Sequence, residues 1–83
     1  MARRKKEKVI ELYTPVLDSD IEIGTKIDVK LVDGLKVDIY GTVVYIHEKH
    51  FAFSYHGSTH ENLAVLPLPT FMNKDNNYQI YKN

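Results

Sequence analysis

The stretch KLVDGLKVDIYGTVVYI (residues 30–46) decides the fold of this chain, because two runs of alternating apolar residues meet at Asp33-Gly34. An Asp-Gly pair readily supplies the positive φ angles that a tight β-hairpin turn requires. Before the turn, KIDVKL (residues 26–31) places apolar side chains on one face and charged side chains on the other. This period of two predicts a half-buried strand on each side of the turn.

Gly41 interrupts the second run, which covers residues 35–46. A small barrel requires its longer strands to bend, and glycine permits either a bend or a β-bulge. Beyond Gly41, residues 42–46 are apolar on both faces, which is typical of a strand that changes its buried face. We interpret Gly41 as the position of a bend, and the alternative is a weak point in a flat strand.

The rest of the chain adds shorter strand patterns. We expect an opening strand over residues 9–14, a third meander strand over 51–55, a short strand over 63–66 that Pro67 and Pro69 terminate, and an edge strand over 78–81. The pattern predicts an all-β fold, a small barrel or a strongly bent antiparallel meander of about five to six strands. The predicted core consists of Ile27, Val29, Leu31, Leu35, Val37, Ile39, Phe51, Phe53, Leu63 and Val65.

Residues 25–68, with TKIDVKLVDGLKVDIYGTVVYI, FAFSYHG and LAVLPL, resemble the strand series of small SH3-like and Sm-like barrels. They are also similar to the C-terminal half of the YolD-like proteins of Gram-positive bacteria, phages and plasmids. The resemblance is one of strand pattern, so it implies a barrel fold and a small regulatory protein of bacterial, phage or plasmid origin. It implies no site residue.

Composition predicts a single domain without disulfides. The chain has 83 residues, 43% hydrophobic and 27% charged, with no cysteine. A chain of this length buries one small core, and a cysteine-free domain fits a reducing cytoplasm. We expect residues 1–8 to be a flexible basic arm and residues 9–83 to be the barrel domain, with no export signal and no membrane-spanning segment. It should fold alone or as a small homo-oligomer.

Charge and aromatic content indicate a surface for nucleic acid. The net charge is zero, but residues 2–8 carry five basic residues and one acidic residue, which leaves the remainder at −4. Basic residues neutralise phosphates, and exposed tyrosines stack on unpaired bases. The predicted nucleic-acid-binding residues are Arg3, Arg4, Lys5, Lys6, Lys8, Lys36, Tyr40, Tyr45 and Tyr81.

The histidines and hydroxyls predict neither a metal site nor an enzyme. His47 and His50 flank one turn and His56 and His60 flank the next loop, so a meander places the two pairs at opposite ends of one strand. Ser54, the histidines and Glu61 are the parts of a catalytic triad, but nothing signals a pocket or an oxyanion hole. We therefore expect no catalytic residue, cofactor or small-molecule substrate.

Two functions stay open from the sequence. The first is a regulatory barrel that associates with single-stranded RNA or DNA through the basic arm and a tyrosine-bearing face. The alternative is a protein interaction module or inhibitor that engages its partner through an exposed strand edge.

Overall fold

The described residues of the protein form a six-stranded antiparallel sheet. The computed structural model describes residues 11–57 and 59–82, and the predicted arm over residues 1–8 lies outside them. The strands are β1 (Glu11–Tyr13), β2 (Lys26–Val32), β3 (Leu35–His47), β4 (His50–His56), β5 (Glu61–Pro67) and β6 (Asn77–Lys82). Their order is β1-β6-β2-β3-β4-β5, so β2 to β5 form a meander and β6 returns to pair with β2. The all-β prediction is confirmed. The sheet is not closed, which is consistent with a barrel-like, bent meander.

The Asp33-Gly34 turn forms as predicted. Its two central residues have φ angles of 50° and 80°, and the flanking residues Val32 and Leu35 pair directly. The loop before β6 holds this turn, because the Gly34 N–H donates to the Asp75 carbonyl at 2.7 Å. A local sequence signal and a long-range contact therefore fix the same hairpin.

The core lies on the inner face of the sheet. Ile27, Val29, Phe51 and Phe53 are buried as predicted. The core is completed by Ile21, Val43, Leu66, Leu68, Tyr78 and Ile80. The Tyr78 hydroxyl donates to the Pro67 carbonyl at 2.7 Å, which links β6 to the end of β5. Burial, with a smaller contribution from the charge of Asp18, raises the pKa of Tyr78 well above its usual range.

The prediction that Leu63 and Val65 belong to the core is wrong, since they are 68% and 63% exposed. Ala64 and Leu66 lie opposite Phe53 and Phe51, and directly paired residues share a face of the sheet. The inward positions of β5 are therefore the even ones. The sequence LAVL is apolar at every position and is compatible with both phases.

The first hairpin also departs from strict alternation. The ladder between β2 and β3 shifts by one residue between Val29 and Leu31, so the side chains beyond it change face. The prediction that Leu35 belongs to the core is wrong, since Leu35 lies next to the turn and is 70% exposed. The other predicted core residues of this hairpin, Leu31, Val37 and Ile39, are half-buried.

Gly41 is required by close packing. It is buried, and a Cβ there would meet the Ser54 carbonyl oxygen and lie 2.7 Å from the Phe53 ring. The register with β2 passes through Gly41 without a shift, and the ladder with β4 begins at Gly41 and continues regularly to Val43. The bulge expected near Gly41 lies further along, because Val44 is an extra residue between two regular pairs of β3 and β4.

Candidate interaction surfaces

The outer face of β2, β3 and β6 carries two of the predicted tyrosines side by side. The rings of Tyr40 and Tyr81 meet edge to face with centroids 5.6 Å apart, and Tyr40 is 56% exposed. Asp28 lies directly opposite Tyr40 on the neighbouring strand. We call Tyr40, Tyr81, Asp28, Lys30 and Asp38 the tyrosine patch.

The ammonium group of Lys30, the lysine of this patch, contacts the carboxylates of Asp28 and Asp38. The Lys30 ammonium donates to Asp38 Oδ1 at 3.1 Å and lies 3.4 Å from Asp28 Oδ2. The hydrogen bond with Asp38, helped by Asp28, raises the pKa of Lys30. Partial desolvation and then the charge of Asp28 raise the pKa of Tyr81. The patch therefore combines aromatic rings with an excess of negative charge.

Lys36 lies at the border of the tyrosine patch. It pairs with Leu31 across the first hairpin and is exposed. Together with Lys30, Val37 and Asn77, these two residues line a shallow depression. Of the predicted nucleic-acid-binding residues, the structure thus brings Lys36, Tyr40 and Tyr81 into one region.

Tyr45 lies in a different part of the outer face. Its ring stacks on the imidazole of His47, with an interplanar angle of 13° and centroids 6.2 Å apart. It is 58% exposed, and the register places it in one row with Ala52 and Val65. We call Tyr45, Ala52, Leu63 and Val65 the apolar patch. An open groove of about 430 Å³ runs along it, lined by Tyr45, His47, His50, Phe51, Ala52 and Val65.

The histidines occupy the two ends of β4, as predicted. His47 pairs with His50 at one end, whereas His56 pairs with Glu61 at the other. Thr59 Oγ1 lies 2.7 Å from His60 Nδ1 in the adjacent loop. Within residues 11–57 and 59–82, no three side chains of the metal-ligating types come together.

The free edge of β5 adds backbone groups to the apolar patch. Antiparallel ladders alternate between residue pairs that exchange hydrogen bonds and pairs that do not. The Leu68 N–H donates to the Lys49 carbonyl at 2.8 Å, and the Gly57 N–H donates to the His60 carbonyl at 2.8 Å. Both bonds follow the register of β4 and β5, so within β5 the even-numbered residues bond to β4.

The odd-numbered residues of β5 therefore point their backbone groups away from the sheet. These residues are Glu61, Leu63, Val65 and Pro67, and the Pro67 carbonyl already accepts the Tyr78 hydroxyl. In the described part of the chain, no strand pairs with this side of β5. The backbone groups of Leu63 and Val65 are thus available to an added strand beside exposed apolar side chains.

Sequence reasoning missed the two surface residues Leu63 and Val65. The prediction assigns the odd positions of LAVL to the core, whereas the even positions fill the core and the odd positions are exposed. Pro67, which ends this run, was the available signal, because proline within a sheet is confined to edge strands and strand ends.

Residues 9–83, the body of the protein, and the predicted arm over residues 1–8 carry net charges of opposite sign. Residues 9–83 carry ten acidic residues and six lysines, a net charge of −4. The arm residues Arg3, Arg4, Lys5, Lys6 and Lys8, predicted to bind nucleic acid, lie outside the described residues.

Comparison with family models, curated protein sequences and solved structures finds no match for this chain. The resemblance to SH3-like, Sm-like and YolD-like proteins therefore stays a prediction. Among the described residues, no helix has the length and apolar character needed to cross a membrane.

Proposed function

We propose that this protein is a non-enzymatic interaction module that binds an extended segment of a protein through the free edge of β5. The proposal rests on one observation: Leu63 and Val65 have exposed apolar side chains on an edge strand whose outer backbone groups pair with no other described strand. Backbone hydrogen bonds from an added strand supply affinity, and alternate side chains supply specificity.

Electrostatics favour a protein partner over nucleic acid at the outer face. The Lys30 ammonium beside the two tyrosines already bonds to Asp38 and lies near Asp28. Phosphates approaching Tyr40 and Tyr81 would be repelled by the exposed carboxylate of Asp38 and the largely buried one of Asp28, in a body of net charge −4. The four members of the apolar patch carry no charge. A partner segment that binds there therefore needs no charged groups of its own, unlike a nucleic acid at the tyrosine patch.

Single-stranded RNA or DNA is the second candidate partner. The adjacent rings of Tyr40 and Tyr81 favour it, because exposed aromatic rings stack on bases without reading sequence. In this function the basic residues of the arm and Lys36 would neutralise phosphates and offset the acidic body.

Location and role complete the proposal. A cysteine-free domain needs no oxidising compartment, which supports the cytoplasm. A small module without a catalytic centre is suited to a regulatory task, such as a bacterial, phage or plasmid inhibitor that occupies a strand-binding site on another protein.

The test of the first function is selection of displayed random peptides on the full-length protein, followed by titration of single enriched peptides. We expect the enriched peptides to carry apolar residues at alternate positions. Val65→Lys should weaken their binding about tenfold or more, because an edge lysine blocks strand addition. Leu35→Lys is the matched control, since Leu35 is equally exposed but lies on another hairpin. It should leave the affinity unchanged.

Labelled oligo(dT) and oligo(U) titrated over a range of salt concentrations form the second arm of this experiment. Peptide binding that Val65→Lys leaves intact would rule out the β5 edge as the binding site. Oligonucleotide binding that weakens steeply with salt and requires Tyr40 would instead establish the second candidate.

A further inference from the structure

The free edge of β5 has features that suit pairing with itself. Ala64 is the middle residue of the strand, and Leu63 and Val65 flank it symmetrically. In an antiparallel pair of two copies with a two-fold axis at Ala64, Leu63 of one copy lies opposite Val65 of the other. We propose that the β5 edge pairs with a second copy of this chain in this register, which joins the two sheets into one. This inference rests on the proposed function and names its partner.

The backbone phase of β5 is compatible with this register. Leu63 and Val65 are the residues whose N–H and C=O groups point away from β4. Placed opposite each other, they exchange backbone hydrogen bonds on both sides of the axis. Ala64 of the two copies then forms a pair without hydrogen bonds, where side chains approach most closely, and the small methyl group fits there.

The side chains on the outer face are complementary in the same register. Leu63 and Val65 of one copy extend the apolar patch into that of the other, and such apolar cross-strand pairs stabilise a sheet. The neighbouring register, with Leu63 opposite its own copy, would place Glu61 against Val65. We therefore favour the register centred on Ala64.

Charge complementarity distinguishes a second copy from an unrelated strand. Glu61 lies at one end of β5, and the other end lies beside His50 and Lys49. Antiparallel pairing brings Glu61 of each copy toward Lys49 and His50 of the other. The whole chain has a net charge of zero, so two copies do not repel each other at long range.

Cysteine cross-linking tests this register directly, because the chain contains no cysteine. We expect Ala64→Cys to form a disulfide-linked dimer under mild oxidation, since directly opposed residues of an antiparallel pair meet the distance for a disulfide. Leu35→Cys, at an exposed position on another hairpin, should stay monomeric. Adding Val65→Lys to Ala64→Cys should reduce the cross-linked fraction several-fold.

Sedimentation velocity on the unmodified chain, from about 10 µM to about 1 mM, provides the second readout. We expect an edge pair to bury less surface than the ~1,200 Å² of the smallest stable interfaces, and the dimer therefore to dissociate on dilution. A chain that stays monomeric over this range, or an Ala64→Cys variant that cross-links no better than Leu35→Cys, would overturn the inference. Peptide binding that depends on Val65 would still support the proposed function in that case.

Discussion

The tyrosine patch and the apolar patch share one face of one sheet but differ in how their polar groups are satisfied. In the tyrosine patch, Asp28 and Asp38 hold Lys30, and the two rings contact each other. In the apolar patch, Leu63 and Val65 are exposed beside backbone groups that no strand within residues 11–57 and 59–82 pairs with. The position of each patch in the sheet explains this difference. An interior strand has neighbours on both sides, whereas an edge strand leaves one side to a partner.

The largest predicted effect is a loss of stability when a side chain of the core shared by both patches is truncated. Phe53 is 1% exposed and lies opposite Val43 and Ala64. Its ring occupies the space that a side chain at position 41 would need. We expect Phe53→Ala to lower the free energy of unfolding by about 3 to 5 kcal/mol, which is close to the whole stability of so small a domain. Urea denaturation followed by circular dichroism measures this.

The matched control for Phe53 is Phe71→Ala, because Phe71 is 45% exposed and its ring lies 5.6 Å from the Lys49 ammonium. It should cost less than about 1 kcal/mol. If Phe53→Ala unfolds at the same urea concentration as the unmodified protein, the core is not shared by the two patches.

A smaller effect is expected at Gly41, where β3 connects the two patches. A methyl group at this position would collide with the Ser54 carbonyl and the Phe53 ring, so β4 would have to move away from β3. We expect Gly41→Ala to cost about 1 to 3 kcal/mol, the usual range for overpacking. Val44→Ala, at the exposed bulge of the same strand, serves as control and should cost about 1 kcal/mol or less. Equal stability of the two variants in thermal unfolding would contradict the packing role of Gly41.

The sequence predicted what local rules determine. Asp33-Gly34 specifies its own turn, and strict alternation predicts the inward positions of Ile27 and Val29. The phase of β5 could not be predicted in this way, because LAVL is apolar on both faces and the decision comes from the fit of Ala64 and Leu66 opposite Phe53 and Phe51.

The same limit applies to the candidate sites. Tyr40 and Tyr81 were predicted to be surface residues of one site, and they do meet. Alternation places Asp28 and Lys30 on one face of β2, but the contact of Lys30 with Asp38 crosses to the neighbouring strand and is not specified by the sequence pattern. Tyr45 was assigned to the same site, yet the register places it with Val65 near the other edge.

The smallest predicted effect is a change in peptide affinity on substitution of one tyrosine in each patch, Tyr45 in the apolar patch and Tyr40 in the tyrosine patch. Tyr45 lines the groove that includes Val65, so a segment added to the β5 edge can lay a long side chain against its ring. We expect Tyr45→Ala to weaken the binding of a selected peptide about threefold, or roughly 0.6 kcal/mol, because the ring lies two strands away from the new backbone bonds. Anisotropy titrations of one labelled peptide measure this change.

Tyr40→Ala is the internal counterpart, since Tyr40 and Tyr45 have almost equal exposure, 56% and 58%, on the same strand. It should leave the peptide affinity unchanged, because Tyr40 contacts Tyr81 at the far side of the sheet from β5. A peptide that loses affinity with Tyr40→Ala and keeps it with Tyr45→Ala would place protein binding at the tyrosine patch. That outcome would contradict the proposed site at the β5 edge. Oligonucleotide affinity that falls only with Tyr40→Ala would show that the carboxylates of Asp28 and Asp38 do not prevent stacking, since base–aromatic stacking contributes about 1 to 3 kcal/mol per base. Substitution of these two tyrosines of β3 therefore distinguishes binding at the β5 edge from binding at the tyrosine patch.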